Sequence, residues 1–172
     1  MGWVKRAMPV ATAAAAATLV AGATAPPAAA QAGDMPPANV TTLTDTLPGA
    51  VGGLTVDRAG NIYVADFGDR IWKVTMTGEV STLTEGMYGA SGNAVDSKGR
   101  ILQSNFHGDF VARVQRDGRY EVFAEGLQGP VGIAMGSADT AYVTNCRSNS
   151  IARVSPTGTV ETFLSLIHIS EP

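Results

Sequence analysis

Short runs of apolar and β-branched residues, separated by turns rich in Gly, Asp and Asn, recur along this chain at intervals of about 40 residues. Residues 62–65 read Ile-Tyr-Val-Ala, for example, and residues 71–74 read Ile-Trp-Lys-Val. Runs this short, bounded by turn residues, are typical of β-strands rather than helices. The pattern therefore predicts an all-β fold of many short strands joined by tight turns.

The recurrence keeps a fixed order over three copies. Val56-Asp57 returns as Val95-Asp96 after 39 residues, and Gly78 returns as Gly118 and Gly158 at steps of 40. This period, with four short strands in each copy, is typical of the blades of a β-propeller. The predicted blades span about residues 49–86, 87–126 and 127–163.

The sequence also predicts that the ring is incomplete. Residues 40–43 match residues 80–83, the fourth strand of the first blade, but no three strands precede them. An orphan fourth strand at the N-terminus is what closes a propeller ring, because it completes the last blade. We therefore expect residues 40–46 to be a closing strand, and the three blades to be part of a larger ring.

The N-terminal segment has the features of a signal peptide. Lys5 and Arg6 precede an Ala-rich apolar stretch, and Ala30-Gln31-Ala32 is a small-x-small cleavage site. We expect residues 1–32 to be removed, residues 33–39 to be a linker, and the protein to be secreted or periplasmic. The alternative is a retained membrane anchor, which the abundance of Ala and Thr disfavours.

The C-terminal segment, residues 164–172, breaks the repeat in mid-pattern. It resembles the translation of a sequencing-library adapter. We expect it to be an artefactual tail that takes no part in the fold. The alternative is a genuine short tail.

Charge and cysteine content narrow the classes of partner. The chain has 12 Lys and Arg against 15 Asp and Glu, and the leader removes two of the cations. An acidic chain without a basic cluster argues against nucleic acid as a partner, and no membrane contact is expected after leader cleavage. Cys146 is the only cysteine, so an internal disulfide is impossible, and a small buried hydrophobe is its expected role.

The repeats resemble known families of propeller. Residues 53–66 with Arg70-Ile71, and residues 129–134 with Tyr142-Val143, closely resemble the NHL repeat. The senescence-marker-protein and gluconolactonase family shares this pattern, and Ser150-Ile151-Ala152-Arg153-Val154 is similar to virginiamycin B lyase. The resemblance covers residues 40–163. It implies a propeller of six blades, or seven if the protein is like the lyase, but it does not specify one chemistry.

In propellers of this type the ligand face carries the loops between the second and third strands and the connections between blades. Side chains there could converge on a ligand or hold a divalent cation such as calcium through oxygen atoms. Asp66 and its repeat equivalents Asn105 and Asn145 are also typical of turns that bond their own backbone. His107 and Arg147 do not repeat. The candidate ligand-face residues are Asp66, Asp69, Arg70, Asn105, His107, Asp109, Asn145 and Arg147.

The gluconolactonase resemblance implies metal ligands at the starts of the inner strands. The matching positions are Gly52, Ser91 and Val131, none of which is a good ligand. We therefore expect an exported propeller that binds a small molecule, a protein or a peptide on its loop face. A metal-dependent lactonase or esterase, or an enzyme like the streptogramin lyases, remains the alternative.

Overall fold

The computed structural model describes residues 39–165. The predicted signal peptide, all of the predicted linker except Asn39, and residues 166–172 of the predicted tail lie outside the described residues. The part that is described is all-β, and its one short helix is a 3-10 turn at Ser137–Asp139. None of the helices in residues 39–165 is long or apolar enough to span a membrane.

Three four-stranded antiparallel sheets confirm the three predicted blades. Within each sheet, strands that follow one another in sequence are neighbours, so each blade is a simple meander. The first blade contains β1 (Leu54–Val56), β2 (Ile62–Ala65), β3 (Ile71–Val74) and β4 (Val80–Thr84). The second contains β5 (Ala90–Val95), β6 (Ile101–Asn105), β7 (Phe110–Val114) and β8 (Tyr120–Ala124). The third contains β9 (Pro130–Met135), β10 (Ala141–Asn145), β11 (Ser150–Val154) and β12 (Val160–Ser165).

A β-bulge recurs between the third and fourth strands of every blade. The pairing register shifts after Ile71, Val111 and Ile151, which are repeat equivalents. One extra residue is inserted in each fourth strand, and it is always a large hydrophobe: Leu83, Phe123 or Phe163. A bulge bends its strand and increases the local twist, so the outer strand of each blade turns in the same way.

Two predicted boundaries need correction. Residues 40–46 form no strand in the described structure, although the backbone of Leu43 lies against Gly78 as that of Leu83 lies against Gly118. Their role in closing a ring stays a prediction. The predicted tail begins too early: Leu164 and Ser165 continue β12 and pair with Ile151 and Ser150 of β11.

The hydrophobic core lies between neighbouring sheets and forms two clusters. The first packs Tyr63 and Ile71 of the first blade against Ile101 and Val114 of the second. The second packs residues such as Leu102 of the second blade against partners in the third. Its further members include Val111, Leu127, Val143 and Val154. Each blade therefore buries its apolar faces only by lying against a neighbour, as the repeat architecture requires.

The inner strands approach one another closely at glycine. A Cβ atom on Gly53 would lie 2.6 Å from the Cα atom of Gly92, and a Cβ atom on Gly92 would overlap the carbonyl oxygen of Val131. The amide of Gly53 donates a hydrogen bond to the carbonyl of Ser91 at 2.8 Å, from one blade to the next. Gly132 is the repeat equivalent in the third blade, and there a Cβ atom would meet only the Thr144 side chain, at 3.1 Å. Backbone therefore packs on backbone where the blades converge.

The turn between β1 and β2 is fixed by one carboxylate. Asp57 accepts hydrogen bonds from the amides of Ala59 and Asn61, from the Asn61 side chain and from the Tyr63 hydroxyl, each at 2.9 Å. Burial alone would raise the pKa of Asp57, but the hydrogen bonds from Asn61 and Tyr63 outweigh it and lower that pKa. Burial, then the hydrogen bond and charge of Asp57, raise the pKa of Tyr63 to about 12.

We expect the substitution Gly92→Ala to destabilise the fold by about 1–3 kcal/mol, because the new methyl group would clash with backbone atoms of Val131, which cannot move aside as a side chain could. The matched control is Gly132→Ala, which adds the same methyl group at the equivalent position beside a side chain. Urea unfolding followed by far-UV circular dichroism measures both. Equal losses in the two variants would contradict close backbone packing at Gly92.

We expect Tyr63 to lose its proton near pH 12 in the folded protein. An absorbance titration that follows phenolate formation measures this. The pKa of Tyr63 lies above the ordinary value of 10.0, so its contribution to stability is present below about pH 10 and is lost as the pH rises through 12. The substitution Asp57→Asn should lower that pKa. Asp117→Asn, which changes a carboxylate outside the Tyr63 turn, should leave it unchanged.

Candidate functional site

The loops predicted to form the ligand face are joined to one another by backbone hydrogen bonds. We call this surface the loop face; it contains residues 66–70, 105–109 and 145–149 with the connections 85–89 and 125–129. Gly89 lies at its centre, donating to the carbonyl of Gly68 at 3.0 Å and accepting from the amide of Phe106 at 2.9 Å. The same arrangement joins Leu127 to Asp109 and Cys146 to Gly129. The blades are therefore locked together along this face.

Two of the three repeat-equivalent polar residues serve this locking. Asp66 bonds its own turn, accepting from the amides of Gly68 and Arg70 at 2.7 and 3.1 Å. Asn105 and Asn145 act differently. Their side-chain oxygens accept from the amides of Tyr88 and Gln128, at 2.9 and 3.1 Å, and so hold the preceding connection between blades. These hydrogen bonds commit one side-chain oxygen of each residue to the backbone.

Two ion pairs take up most of the charged candidates. Arg70 pairs with Glu85 at 3.0 Å and lies 3.8 Å from the exposed Asp69. Arg147 pairs with Asp109, and this pair joins the second blade to the third.

Asp109 also helps to fix the connection between these blades. Its backbone has a positive φ of 59°, and its side chain accepts from the amide of Gly129 at 2.7 Å. The Arg147 guanidinium donates to the carbonyl of Phe106 at 3.1 Å and lies 5.4 Å from the centre of the Phe106 ring. These contacts hold the Arg147 side chain against the second blade.

Aromatic side chains are the exposed feature of the loop face, and the sequence analysis selected only His107 among them. The exposed His107 ring lies 5.6 Å from the ring of Tyr88 and 5.1 Å from that of Phe106. Tyr88 is 63% exposed, and Phe67 is 55% exposed in the equivalent loop of the first blade. We call Phe67, Tyr88, Phe106 and His107 the aromatic group. A signal in the sequence could have revealed this group, because Phe67 and Phe106 each follow directly after one of the repeat-equivalent polar residues, Asp66 and Asn105.

Cys146 follows Asn145 where the first two blades have Phe67 and Phe106. Its side chain is exposed, which corrects the expected buried role. The reason is its place at the start of the loop after β10, where its amide is used in the contact with Gly129 and its side chain has no core beside it.

The positions implied by the gluconolactonase resemblance do not fit a metal ion. Gly52 has no side chain, Val131 has no donor atom, and the buried Ser91 hydroxyl donates to the carbonyl of Pro130 at 2.9 Å. Among residues 39–165, no three His, Cys, Asp or Glu side chains are grouped so that they could hold a metal ion.

A buried polar pair in the second blade was missed by the sequence analysis. Asn93 and Gln103 are cross-strand partners in β5 and β6, and the side-chain oxygen of each has no hydrogen-bond partner in the described structure. Their repeat equivalents are apolar: Leu54 and Ile133 for Asn93, and Val64 and Val143 for Gln103. The departure from the repeat is the signal that could have found them.

A cavity of about 820 Å³ lies on the other side of the sheets, away from the loop face. It is lined by the turns between the first and second strands of all three blades, and by residues such as Tyr63, Lys73 and Arg116. Neither the cavity nor the residues around it were selected from the sequence.

Comparison with known proteins shows the fold. No protein-family model matches the chain, and no curated protein does. Among solved structures, a catalytically inactive virginiamycin B lyase from Staphylococcus aureus with quinupristin superposes with a TM-score of 0.63 at 21% identity, over 73% of this chain and 45% of the lyase. A gluconolactonase from Xanthomonas campestris gives 0.62 at 17% identity, over 69% of this chain and 48% of that one. A nidogen/laminin complex gives 0.60 at 21% identity, over 67% of this chain and 48% of that one.

The chain spans about half the length of these structures. The three sheets have the fold of β-propeller blades, which confirms the predicted architecture and the resemblance to this group of propellers. Likeness at this level of identity shows the fold alone.

Proposed function

We propose that this chain is part of an exported β-propeller that binds a small molecule or a peptide on its loop face. The observation that carries the proposal is the exposure of the aromatic group on a face whose polar candidates are largely engaged with one another. Tyr88 and Phe67 present more than half of their surface to solvent. Exposed aromatic side chains offer a large contact area with little entropy to lose on binding.

The locked backbone of the loop face also suits binding. The connection that carries Tyr88 is fixed by Asn105, and the loop that carries His107 is fixed by the hydrogen bond that the backbone amide of His107 donates to the carbonyl of Tyr88 at 3.2 Å. Rings held by a rigid backbone are ordered before a ligand arrives, which reduces the entropy that binding costs. A ligand would therefore make more of its contacts with the aromatic rings than with polar atoms.

The alternative is an enzyme of the gluconolactonase or streptogramin-lyase type, which the fold similarity favours. In this alternative a divalent cation such as calcium would be held by residues other than Gly52, Ser91 and Val131. Hydrolysis of glucono-1,5-lactone that stops when a chelator is added would support the lactonase.

We expect quinupristin, the compound in the lyase structure, to bind this protein and to be released unchanged. The substitutions Phe67→Ala and Tyr88→Ala should each weaken binding about three- to tenfold, because each removes a ring from the contact surface. Phe163→Ala is the matched control, since Phe163 is 56% exposed against 55% for Phe67 but lies on the outer strand of its blade.

Isothermal titration calorimetry measures the affinity, and mass spectrometry of the recovered compound detects any cleavage. Equal affinities of the Phe67→Ala and Phe163→Ala proteins for quinupristin would contradict binding on the loop face. Cleavage of the recovered quinupristin would favour the lyase alternative instead.

A further inference from the structure

A second, smaller cavity, which we call a lobe, adjoins the cavity on the side away from the loop face, and the two share Arg116 in their walls. Arg116 lines both the main cavity of about 820 Å³ and a lobe of about 420 Å³. We call the two together the turn-face cavity. Its walls carry six cationic side chains, Arg58, Lys73, Lys98, Arg100, Arg116 and Arg119. They carry four carboxylates, Asp57, Asp96, Asp117 and Asp139. The cavity therefore has two more positive than negative groups in a chain whose net charge is −3.

Every unpaired cation of the described chain lies in this cavity. Within residues 39–165, six arginines form ion pairs with carboxylates. The Lys and Arg residues outside those pairs are Arg58, Lys73, Lys98 and Arg116, and all four line the turn-face cavity. Arg58 and Lys73 line the main cavity, Lys98 lines the second lobe and Arg116 lines both, so cations without carboxylate partners make the two adjoining surfaces attractive to an anion.

The carboxylates in the same walls are already satisfied. Asp57 accepts four hydrogen bonds from its own turn and from Tyr63. Asp96 accepts from the amides of Lys98 and Arg100 and pairs with the Arg100 side chain at 2.7 Å.

Asp139 is bound across the boundary between blades. It accepts from the amide of Ser97 at 2.8 Å and from its hydroxyl at 2.6 Å. The hydrogen bonds from Ser97, with smaller contributions from the charges of Arg100 and Lys98, lower the pKa of Asp139. The carboxylate oxygens therefore have hydrogen-bond donors within the protein, whereas Arg58, Lys73, Lys98 and Arg116 form no ion pair in the described part of the chain.

Comparison between blades shows that Lys73 lacks the carboxylate partner that its repeat equivalents have. Arg113 and Arg153 are its repeat equivalents, and each pairs with the residue opposite it on the neighbouring strand, Glu121 or Glu161. The residue opposite Lys73 is Ser81. The cation is kept in the first blade and the carboxylate is not, so the Lys73 charge is available to a ligand.

Arg116 has room because its neighbour is a glycine. Gly99 adopts a positive φ of 74°, and a Cβ atom there would overlap the Arg116 guanidinium. Within residues 39–165 the Arg116 guanidinium donates only to the carbonyl of Lys98, at a long 3.5 Å. The guanidinium therefore keeps most of its five donors for another group.

We propose that the turn-face cavity binds a small organic anion with two or more carboxylate or phosphate groups, one of them on Arg116 and Lys98. Guanidinium and ammonium groups are the side chains that recognise both kinds of anion. Two lobes that share Arg116 give room for anionic groups at separate points. The site is independent of the loop face, on which the proposed function rests.

Citrate and pyrophosphate are the probes, one for each kind of anionic group, and isothermal titration calorimetry in a buffer without either ion measures their binding. We expect the substitutions Arg116→Gln and Arg58→Gln each to weaken binding of the preferred probe about fivefold. Arg153→Gln is the matched control, because it removes the same charge from an ion pair outside the cavity. Affinity should also fall about tenfold from low to high salt, as screening increases.

A second variant adds a charge instead of removing one. Ser81→Glu copies the arrangement of the other two blades on an exposed strand position, so it should pair with Lys73 and weaken anion binding several-fold. Phe67→Ala should leave anion binding unchanged, which separates this site from the loop face. Circular dichroism spectra that match the parent protein show that each variant is folded.

The preferred probe identifies the class of anion, and binding of both with similar affinity supports the shared chemistry. Binding that is equal in the Arg116→Gln and Arg153→Gln proteins would overturn the proposal. So would affinity that does not depend on salt, or the absence of binding by both probes.

Discussion

The structure depends on the close approach of the inner strands, which requires a residue without a side chain on at least one of the two strands. Gly53 lies against the backbone of Gly92, and Gly92 lies against Val131 and Gly132, so successive blades touch through main-chain atoms. A hydrogen bond from the amide of Gly53 to the carbonyl of Ser91 fixes the spacing. Because the sheets converge at this edge and the core clusters fill the space between them, the turns of all three blades are brought to common faces.

That constraint decides which side chains remain available for chemistry. The polar residues that repeat, such as Asp66, Asn105 and Asn145, are used to tie turns and connections together. The charges that repeat, such as Arg113 and Arg153, are paired across strands. Residues that serve the architecture recur because each blade needs them. The charges left unpaired, such as Lys73, lack the partner that their repeat equivalents have.

The repeat in the sequence was sufficient to predict the strands, their order and the blade boundaries, because turn glycines and apolar runs are local signals. It did not predict that the inner strand of the second blade begins at Ala90, since Ser91 and Asn93 are polar and their burial depends on neighbouring blades. The recurrent bulge was also not visible, because an extra residue in a strand does not alter the period. Asn105 looked like a turn residue, but its partner is the amide of Tyr88, 17 residues away, and such a contact depends on how the blades pack.

The same reasoning explains why the turn-face cavity and the rings of Phe67, Tyr88 and Phe106 escaped a search by residue type, although the sequence predicted the loop face. A search for metal ligands or catalytic groups favours carboxylates and amides, which are the groups this fold uses for its turns. Lys73 has no unusual chemistry and becomes notable only because Ser81 stands where its equivalents face Glu121 and Glu161. In a repeat protein the departures from the repeat carry the information about ligands, because selection for packing keeps the remaining positions alike. The pair of Lys73 and Ser81 is therefore a stronger indication of a ligand than any single charged residue in the loops.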